Sequence, residues 1–461
     1  MIEEKKHGHN FLFCEENDYK LYQGKMQDVL DTFQEESVDC IITDPPYELN
    51  FMGKKWDNSG VAFQPDTWKH CFRVLKEGGY LLAFGGTRTF HRIACAIEDA
   101  GFEIRDTIMW LYGSGMPKGC DIGLAIDKKN GVDNKTGKIL TNGTGKNDCI
   151  VNIASGNHKE YFERKAQNEW DGWGTTLKPA YEPIILARKP LQTTLVDNVL
   201  ENGLGGLNID ECRVGEEHFE QTQKHIQSKG IYGDMVVLAK SYDGRFPANV
   251  ILTYDENDFD EVCGGMPYTK SNGSGPNYEK INSENRVYVY GKNKTWYKSG
   301  THFDDEGSAS RYFYCAKATT KDRDEGLDLA GFETVQITDG SVRANPETGW
   351  AFSANPTPRR NIHPTVKPTE LMEYLIKLVA PKGSVILDPF MGSGSTGKAV
   401  MFQNRERNAN YKFIGIEMTP EYLPICQARI DFAKNKYEYE TKKELEEQRK
   451  TNGQQNIFDF L

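Results

Sequence analysis

Asp44, Pro45, Pro46 and Tyr47 place a carboxylate, a rigid corner and an aromatic face on four consecutive positions. Such a set can hold a planar amino-heterocycle. Asp44 and a prolyl carbonyl can accept the two hydrogens of an exocyclic amine, and Tyr47 can stack on the ring. The proline pair fixes the backbone and removes competing N–H donors. Taken alone, the tetrapeptide also fits a strand-ending turn with no chemical role. A second cluster, LDPFMGSGSTG at 387–397, reads as an apolar strand, a Gly-rich turn and a helix start. Its glycines let backbone N–H groups approach a ligand closely at a helix N-terminus. Glu417 follows 25 positions after Gly392, near the roughly 20-residue offset at which a carboxylate grips the hydroxyls of a ribose. The Lys-Ser/Thr pair of a triphosphate-binding loop is missing. A Gly-rich turn alone is as often structural. With strand, helix and acid all in place, the cluster points to a nucleoside cofactor.

These residues need elements to aim them. VDCIIT (38–43) is a short apolar run that breaks at Asp44, as a buried parallel strand does at the sheet's carboxyl edge. Residues 11–24 pattern as a hairpin. Apolar spacing predicts helices over 67–79 and 89–102, with strands at 80–86 and 104–112. This β-α-β-α-β rhythm implies a parallel sheet covered by helices. The rhythm stops in the Gly-, Asn- and Lys-rich stretch 129–158, part of a surface insertion over about 116–170. A strand follows at 183–190, then irregular sequence to about 350. It resumes with a helix at 369–383, strands at 384–390 and 411–418, and helices at 394–405 and 420–434. One sheet is thus encoded in two pieces around an irregular insert.

Composition narrows the class. The chain has 461 residues, 38% of them apolar, besides 44 glycines. At about 150 residues per domain this suggests three domain-sized units with a sizeable core. Ten scattered cysteines without a CxxC pair read as reduced thiols. No apolar run approaches the roughly 20 residues of a membrane helix, and the N-terminus lacks a secretory pattern, so a cytoplasmic protein is expected. A net charge of −11 argues against a nonspecific, coat-like nucleic-acid binder and leaves room for a local basic groove. The histidines show no metal spacing, and no metal is expected. His70 and His91 read as surface or core residues, and Trp56, Trp110, Trp170 and Trp173 as core or pocket walls.

The two motifs together resemble S-adenosylmethionine-dependent DNA amino-methyltransferases, adenine-N6 or cytosine-N4. Their order, with DPPY ahead of the Gly motif and a long insert between, is similar to the beta class. GWGTTLKPAYEP (172–183), GRFPANVIL (244–252), SRYFYCAKA (310–318) and NIHPTVKP (361–368) resemble phage and bacterial modification methylases of restriction-modification type. The resemblance spans about residues 10–433. It implies a Rossmann-like α/β fold: a mostly parallel, doubly wound sheet with helices on both faces and an inserted target-recognition region. Residues 1–190 would form the catalytic half, 191–350 the recognition region, 351–433 the cofactor half and 434–461 an exposed tail. Asp44, Pro45, Pro46 and Tyr47 match the pocket for a flipped base. Asp388, Phe390, Gly392, Gly394 and Ser395 match the cofactor loop, and Glu417 the ribose acid. His363, Thr365 and Lys367 match the segment beside the methionine part of S-adenosylmethionine. Where the family carries Asp after an early Gly, this chain has Lys25, with Asp28 the next carboxylate. Double-stranded DNA is the implied partner and adenine N6 the expected target. Cytosine N4, an RNA or protein-glutamine methyltransferase, and an idle DNA- or clamp-binding module are the alternatives. The C-terminal Gln454–Leu461, a Gln followed by apolar and aromatic residues, resembles peptides that bind the bacterial sliding clamp; packing back on the catalytic domain is the other reading.

Overall fold

A computed structural model describes residues 11–49, 59–112, 119–133, 135–139, 162–226, 235–254, 268–271, 305–308, 313–317, 320–337 and 357–436. Trp56 and the Gln454–Leu461 segment lie outside the described residues. The chain divides into two compact units, Gly113–Ala180 and the remainder.

The larger unit is built on ten strands. They are β1 (Leu12–Glu15), β2 (Tyr19–Gln23), β3 (Val38–Thr43), β4 (Leu75–Phe84), β5 (Glu103–Tyr112), β6 (Tyr181–Arg188), β7 (Val250–Tyr254), β8 (Tyr314–Lys317), β9 (Val385–Asp388) and β10 (Lys412–Glu417). Across the sheet their order is β1-β2-β10-β9-β3-β4-β6-β5-β7-β8. Neighbours from β2 to β4 are parallel, as are β5, β7 and β8. The β1–β2 hairpin and β6, wedged between β4 and β5, are antiparallel. A mostly parallel sheet requires cover on both faces, so its central strands are apolar without alternation. All six residues of β3 are buried. Cys40 and Ile42 point into one core with helices Thr369–Val379 and Ser395–Arg407 and the helix at 423–436. Ile41 points into the other, with helices Met26–Leu30, Pro65–Val74 and Phe90–Asp99. The doubly wound α/β class expected from the sequence is the observed one.

Three details differ from the pattern reading. The helix expected over 67–79 ends at Val74, and β4 starts at Leu75 rather than at 80. Leu75 pairs with Val38 across a bulge, and Gly78, at φ +73°, turns the chain within the strand; helical apolar spacing does not register that pairing. The stretch 191–350 is not separate from the catalytic sheet. Its GRFPANVIL and SRYFYCAKA segments supply β7 and the edge strand β8, and Val214–Ile226 and Met235–Arg245 form a long antiparallel ribbon. In the smaller unit, Trp170 and Trp173 are exposed and pack edge-to-face on each other, rather than lining a core.

Ile41 is fully buried in the strand that delivers Asp44. Ile41→Ala should cost about 2–5 kcal/mol, read as a lower urea midpoint; a change below about 1 kcal/mol would mean that this core face repacks freely.

Candidate active site

Strand β3 ends at Thr43 because Pro45 and Pro46 offer no N–H to continue the ladder. The next side chain, Asp44, therefore stands at the sheet's carboxyl edge. Its Oδ2 accepts a 2.7 Å hydrogen bond from Lys367 Nζ. Its Oδ1 is buried and has no hydrogen-bond partner. Lys367, itself buried, comes from the segment leading into helix Thr369–Val379, and its Nζ also lies 3.3 Å from Glu182 Oε2. Glu182 is the second residue of β6, opposite Trp110 of β5. Because β6 runs against its neighbours, its first residues reach the same edge as the last residues of β4 and β5. Tyr47 donates its phenol to Glu182 Oε2 at 2.7 Å, and Tyr112 donates to Oε1 at 3.3 Å. Thr89 Oγ1 donates to the Tyr47 carbonyl at 2.8 Å. The Lys367 ammonium sits 5.3 Å from the Tyr47 ring centroid and 5.0 Å from that of Phe84, within cation–π range.

One ammonium thus serves two carboxylates. Burial raises the Asp44 carboxyl above its usual range, with Lys367 opposing and Glu182 adding to the shift. Burial pulls Lys367 down, but Asp44 and Glu182 outweigh it and hold the ammonium above its ordinary range. Burial, followed by the two carboxylates, pushes the Tyr47 phenol well up.

The Gly-rich turn lies beside this pocket because β9 pairs with β3. Asp388 accepts from Thr43 Oγ1 at 2.7 Å through one oxygen and from Thr396 Oγ1 at 2.6 Å through the other. Burial pushes its carboxyl up to about 7, against the pull of both hydroxyls and the Phe390 N–H. Gly392 adopts φ +56°, and a Cβ there would lie 2.8 Å from His363 Nε2, so only glycine lets the turn sit on that ring. Glu417, at the end of β10, accepts the Gly392 N–H at 2.9 Å through Oε2 and the Thr419 N–H at 2.7 Å through Oε1. Each oxygen keeps a lone pair for a further donor. Burial raises this carboxyl above its usual range, with the N–H groups opposing.

His363 packs edge-to-face on Tyr422 at 4.7 Å, with Nδ1 buried and without a hydrogen-bond partner. Burial pulls its imidazole down to about 3, helped by the charges of Arg323, Lys367 and Arg429. Ser395 Oγ donates to the Lys367 carbonyl at 2.9 Å and so ties the turn to the NIHPTVKP segment.

The DNA methylase family model (N6_N4_Mtase) matches residues 38–428. The chain belongs to the DNA methylase family. Among curated relatives of this methylase, the Type II methyltransferase M.HindIII of Haemophilus influenzae is 27% identical over 31% of the chain and 37% of that protein. M.BglI of Bacillus subtilis is 29% identical over 35% of the chain and 44% of that protein. The DNA adenine methyltransferase YhdJ of Escherichia coli is 39% identical over 15% of the chain and 22% of that protein. The chain thus spans less than half the length of each of these relatives. Among solved structures, the cytosine-N4-specific PvuII DNA methyltransferase aligns over 90% of this chain and 86% of its own at 13% identity, with a TM-score of 0.39.

The structure brings Asp44, Pro45, Pro46 and Tyr47 to one corner, and Asp388, Phe390, Gly392, Gly394, Ser395, His363 and Glu417 around one turn. It splits the NIHPTVKP set. Thr365 is exposed in the loop, and the Lys367 ammonium faces Asp44 rather than the Gly turn. Lys25 is exposed, as is Asp28 on helix Met26–Leu30. The pattern reading gave no role to Thr43, Glu182 or Asp322. Asp322 accepts from buried Lys398 at 2.6 Å and from Thr369 Oγ1 at 2.5 Å, beneath the Gly turn. Arg429, fully buried, donates to the Ser393 carbonyl at 2.7 Å and to Ser395 Oγ at 3.2 Å. Glu182 carried a local signal, a Tyr-Glu-Pro at a strand start; Asp322 carried none.

His363 gives a pH test. Its folded value of about 3 lies below the ordinary 6.5, so the unfolded chain takes up the proton first. Stability should fall as pH drops below 6.5, by about 2 kcal/mol at pH 5. His363→Asn should remove that part of the slope in denaturation midpoints at pH 7.5 and 5; equal slopes would show that the imidazole protonates in the folded state.

Proposed function

We propose that the chain transfers a methyl group from S-adenosylmethionine to the exocyclic amine of a base in double-stranded DNA, with adenine N6 as the target. The observation that carries this reading is Asp44 Oδ1, a buried carboxylate oxygen without a partner, at the end of the strand that pairs with the strand leading into the Gly turn. S-adenosylmethionine supplies a methyl group on a sulfonium. The residues fit it: Glu417 is fixed by backbone N–H groups with lone pairs to spare for ribose hydroxyls, beside a turn whose Gly392 packs directly on His363. Phe390 lies half-buried beside that turn.

On the base side, Asp44 Oδ1 and the Pro45 carbonyl accept the two amine hydrogens and favour the pyramidal nitrogen, whose lone pair is otherwise delocalised into the ring. This is orientation plus electrostatic stabilisation. As the nitrogen gains its methyl, the proton it sheds passes to Asp44 and on to solvent. The target amine is paired within a duplex, so the base must be flipped out, to stack on Tyr47. The carboxylate at position 44 and the similarity to an enzyme named as a DNA adenine methyltransferase support adenine over cytosine. The sequence likeness of Gln454–Leu461 to clamp-binding peptides supports a clamp contact, and pull-down with and without residues 454–461 checks it.

Mass spectrometry of nucleosides from DNA of expressing cells reads the product. N6-methyladenine is expected; N4-methylcytosine would move the target, and neither would overturn the reading. Asp44→Asn should abolish transfer and leave S-adenosylmethionine affinity by calorimetry within about twofold, as for independent sites. Glu417→Ala should do the reverse to binding, weakening it by at least about tenfold, the worth of one or two lost hydrogen bonds to a charged group. Tyr47→Ala should cost roughly 1–3 kcal/mol of base stacking, most of it restored in Tyr47→Phe.

A further inference from the structure

The family resemblance puts Lys367 on the methionine side of the cofactor, and nothing assigns Glu182. The geometry puts both elsewhere. The Lys367 ammonium lies between Asp44 Oδ2 at 2.7 Å and Glu182 Oε2 at 3.3 Å. Glu182 in turn accepts both phenols, Tyr47 at 2.7 Å and Tyr112 at 3.3 Å. What links Lys367 to the Gly turn is its backbone carbonyl, bonded to Ser395 Oγ, and that contact does not depend on the side chain. We infer that Lys367 and Glu182 are positioning residues of the base pocket: Lys367 holds the Asp44 carboxylate turned so that Oδ1 is offered to the target amine, and Glu182 holds Lys367 and the Tyr47 ring in place.

This inference rests on the methyl-transfer reading above and deepens it. An unpaired carboxylate at Asp44 would be costly to bury. An ion pair engaging both oxygens would leave the carboxylate less free to accept from a substrate. Pairing one oxygen with an ammonium shared by a second carboxylate avoids both outcomes. The phenol that Glu182 fixes belongs to the ring proposed to stack on the base, so acceptor and stacking face are set by one network. The titratable groups facing Asp44 are Lys367, Glu182 from β6, Tyr47 from its own corner and Asp388 from β9. Lys367 also faces His363, which is neutral, and Glu182 also faces Tyr112 from β5.

The test is the pH profile of kcat/KM with DNA, which reports the free enzyme's ionisations, together with calorimetry of S-adenosylmethionine. Lys367→Gln removes the cation beside Asp44, so the acid limb should move to higher pH by about one unit or more. Glu182→Gln removes the competing anion and should move the limb the other way. Lys367→Arg keeps the charge and should largely restore the wild-type limb. All three should bind S-adenosylmethionine within about twofold of wild type. Acid limbs that coincide with wild type, or a loss of about tenfold or more in cofactor affinity in Lys367→Gln, would overturn the inference while wild-type methylation stands. If Lys367→Gln does not fold, the opposite shift in Glu182→Gln decides alone, since a residue that only braces the fold would not lower the limb. A wild-type protein that methylates no DNA would overturn the underlying reading and this inference with it.

Discussion

The site depends on the Asp388 carboxylate. One of its oxygens holds Thr43, the residue before Asp44, and the other holds Thr396, in the first turn of the helix that follows the Gly-rich turn. Those partners come from the two ends of the chain, 345 residues apart for Thr43 and Asp388. Under the proposed reaction, the pocket at Asp44 and the Gly-rich turn must be held in register for a methyl group to pass between them. A single buried acid bonded to both sides does this without moving parts. Asp388 therefore braces the corner at Asp44 against the Gly-rich turn. Its carboxyl, pushed up to about 7 by burial, is held by hydroxyls, which can donate to an ionised oxygen or accept from a protonated one.

The same economy of charge recurs beneath the turn. Lys398 and Arg429 are fully buried, a costly arrangement unless each finds partners. Asp322 meets Lys398 at 2.6 Å, and Glu325 meets it at 3.0 Å. Arg429 donates through Nη1 to Ser393 and Ser395 and through Nη2 to the Asp322 carbonyl at 3.3 Å, while its Nε has no hydrogen-bond partner. Asp324 accepts the Arg360 and Asn361 backbone N–H groups, and Asn361 accepts that of His363. Residues 322–325 therefore brace the cofactor turn and the NIHPTVKP segment together, although sequence reasoning placed them within the recognition insert. Buried ion networks of this kind add little net stability. They fix one geometry, because every alternative leaves a charge unpaired.

The strands and both motifs were legible because they are local. An unbroken apolar run ending in Asp-Pro-Pro has few other uses, and a Gly-rich turn followed by an acid after the next strand is a long-range but regular spacing. What stayed hidden is cross-chain. Glu182 matters because β6 runs backwards between β4 and β5, and no periodicity announces the direction of a strand. Lys367 sits in a segment that touches both ligand sites, its carbonyl facing one and its ammonium the other, so a motif match could not say which end acts. The strands within 191–350 are short and separated by long polar stretches, and they join the sheet only through partners far away in sequence.

Chain order matters little to such a site. DPPY precedes the Gly turn in the sequence, yet in space they are neighbours because β9 pairs β3, with Ile386 beside Cys40 and Leu387 beside Ile41. Once that register is set, the long intervening chain costs little more entropy than a shorter one would, since doubling a closed loop adds only about 0.6 kcal/mol. The intervening chain is not free to vary throughout, however. It must lay β7 against β5 and β8 against β7, and it must return Asp322 to Lys398 under the cofactor turn. Sequence between these anchors can therefore vary without disturbing the site, whereas a change at Asp322, far from DPPY in sequence, reaches the Gly-rich turn directly.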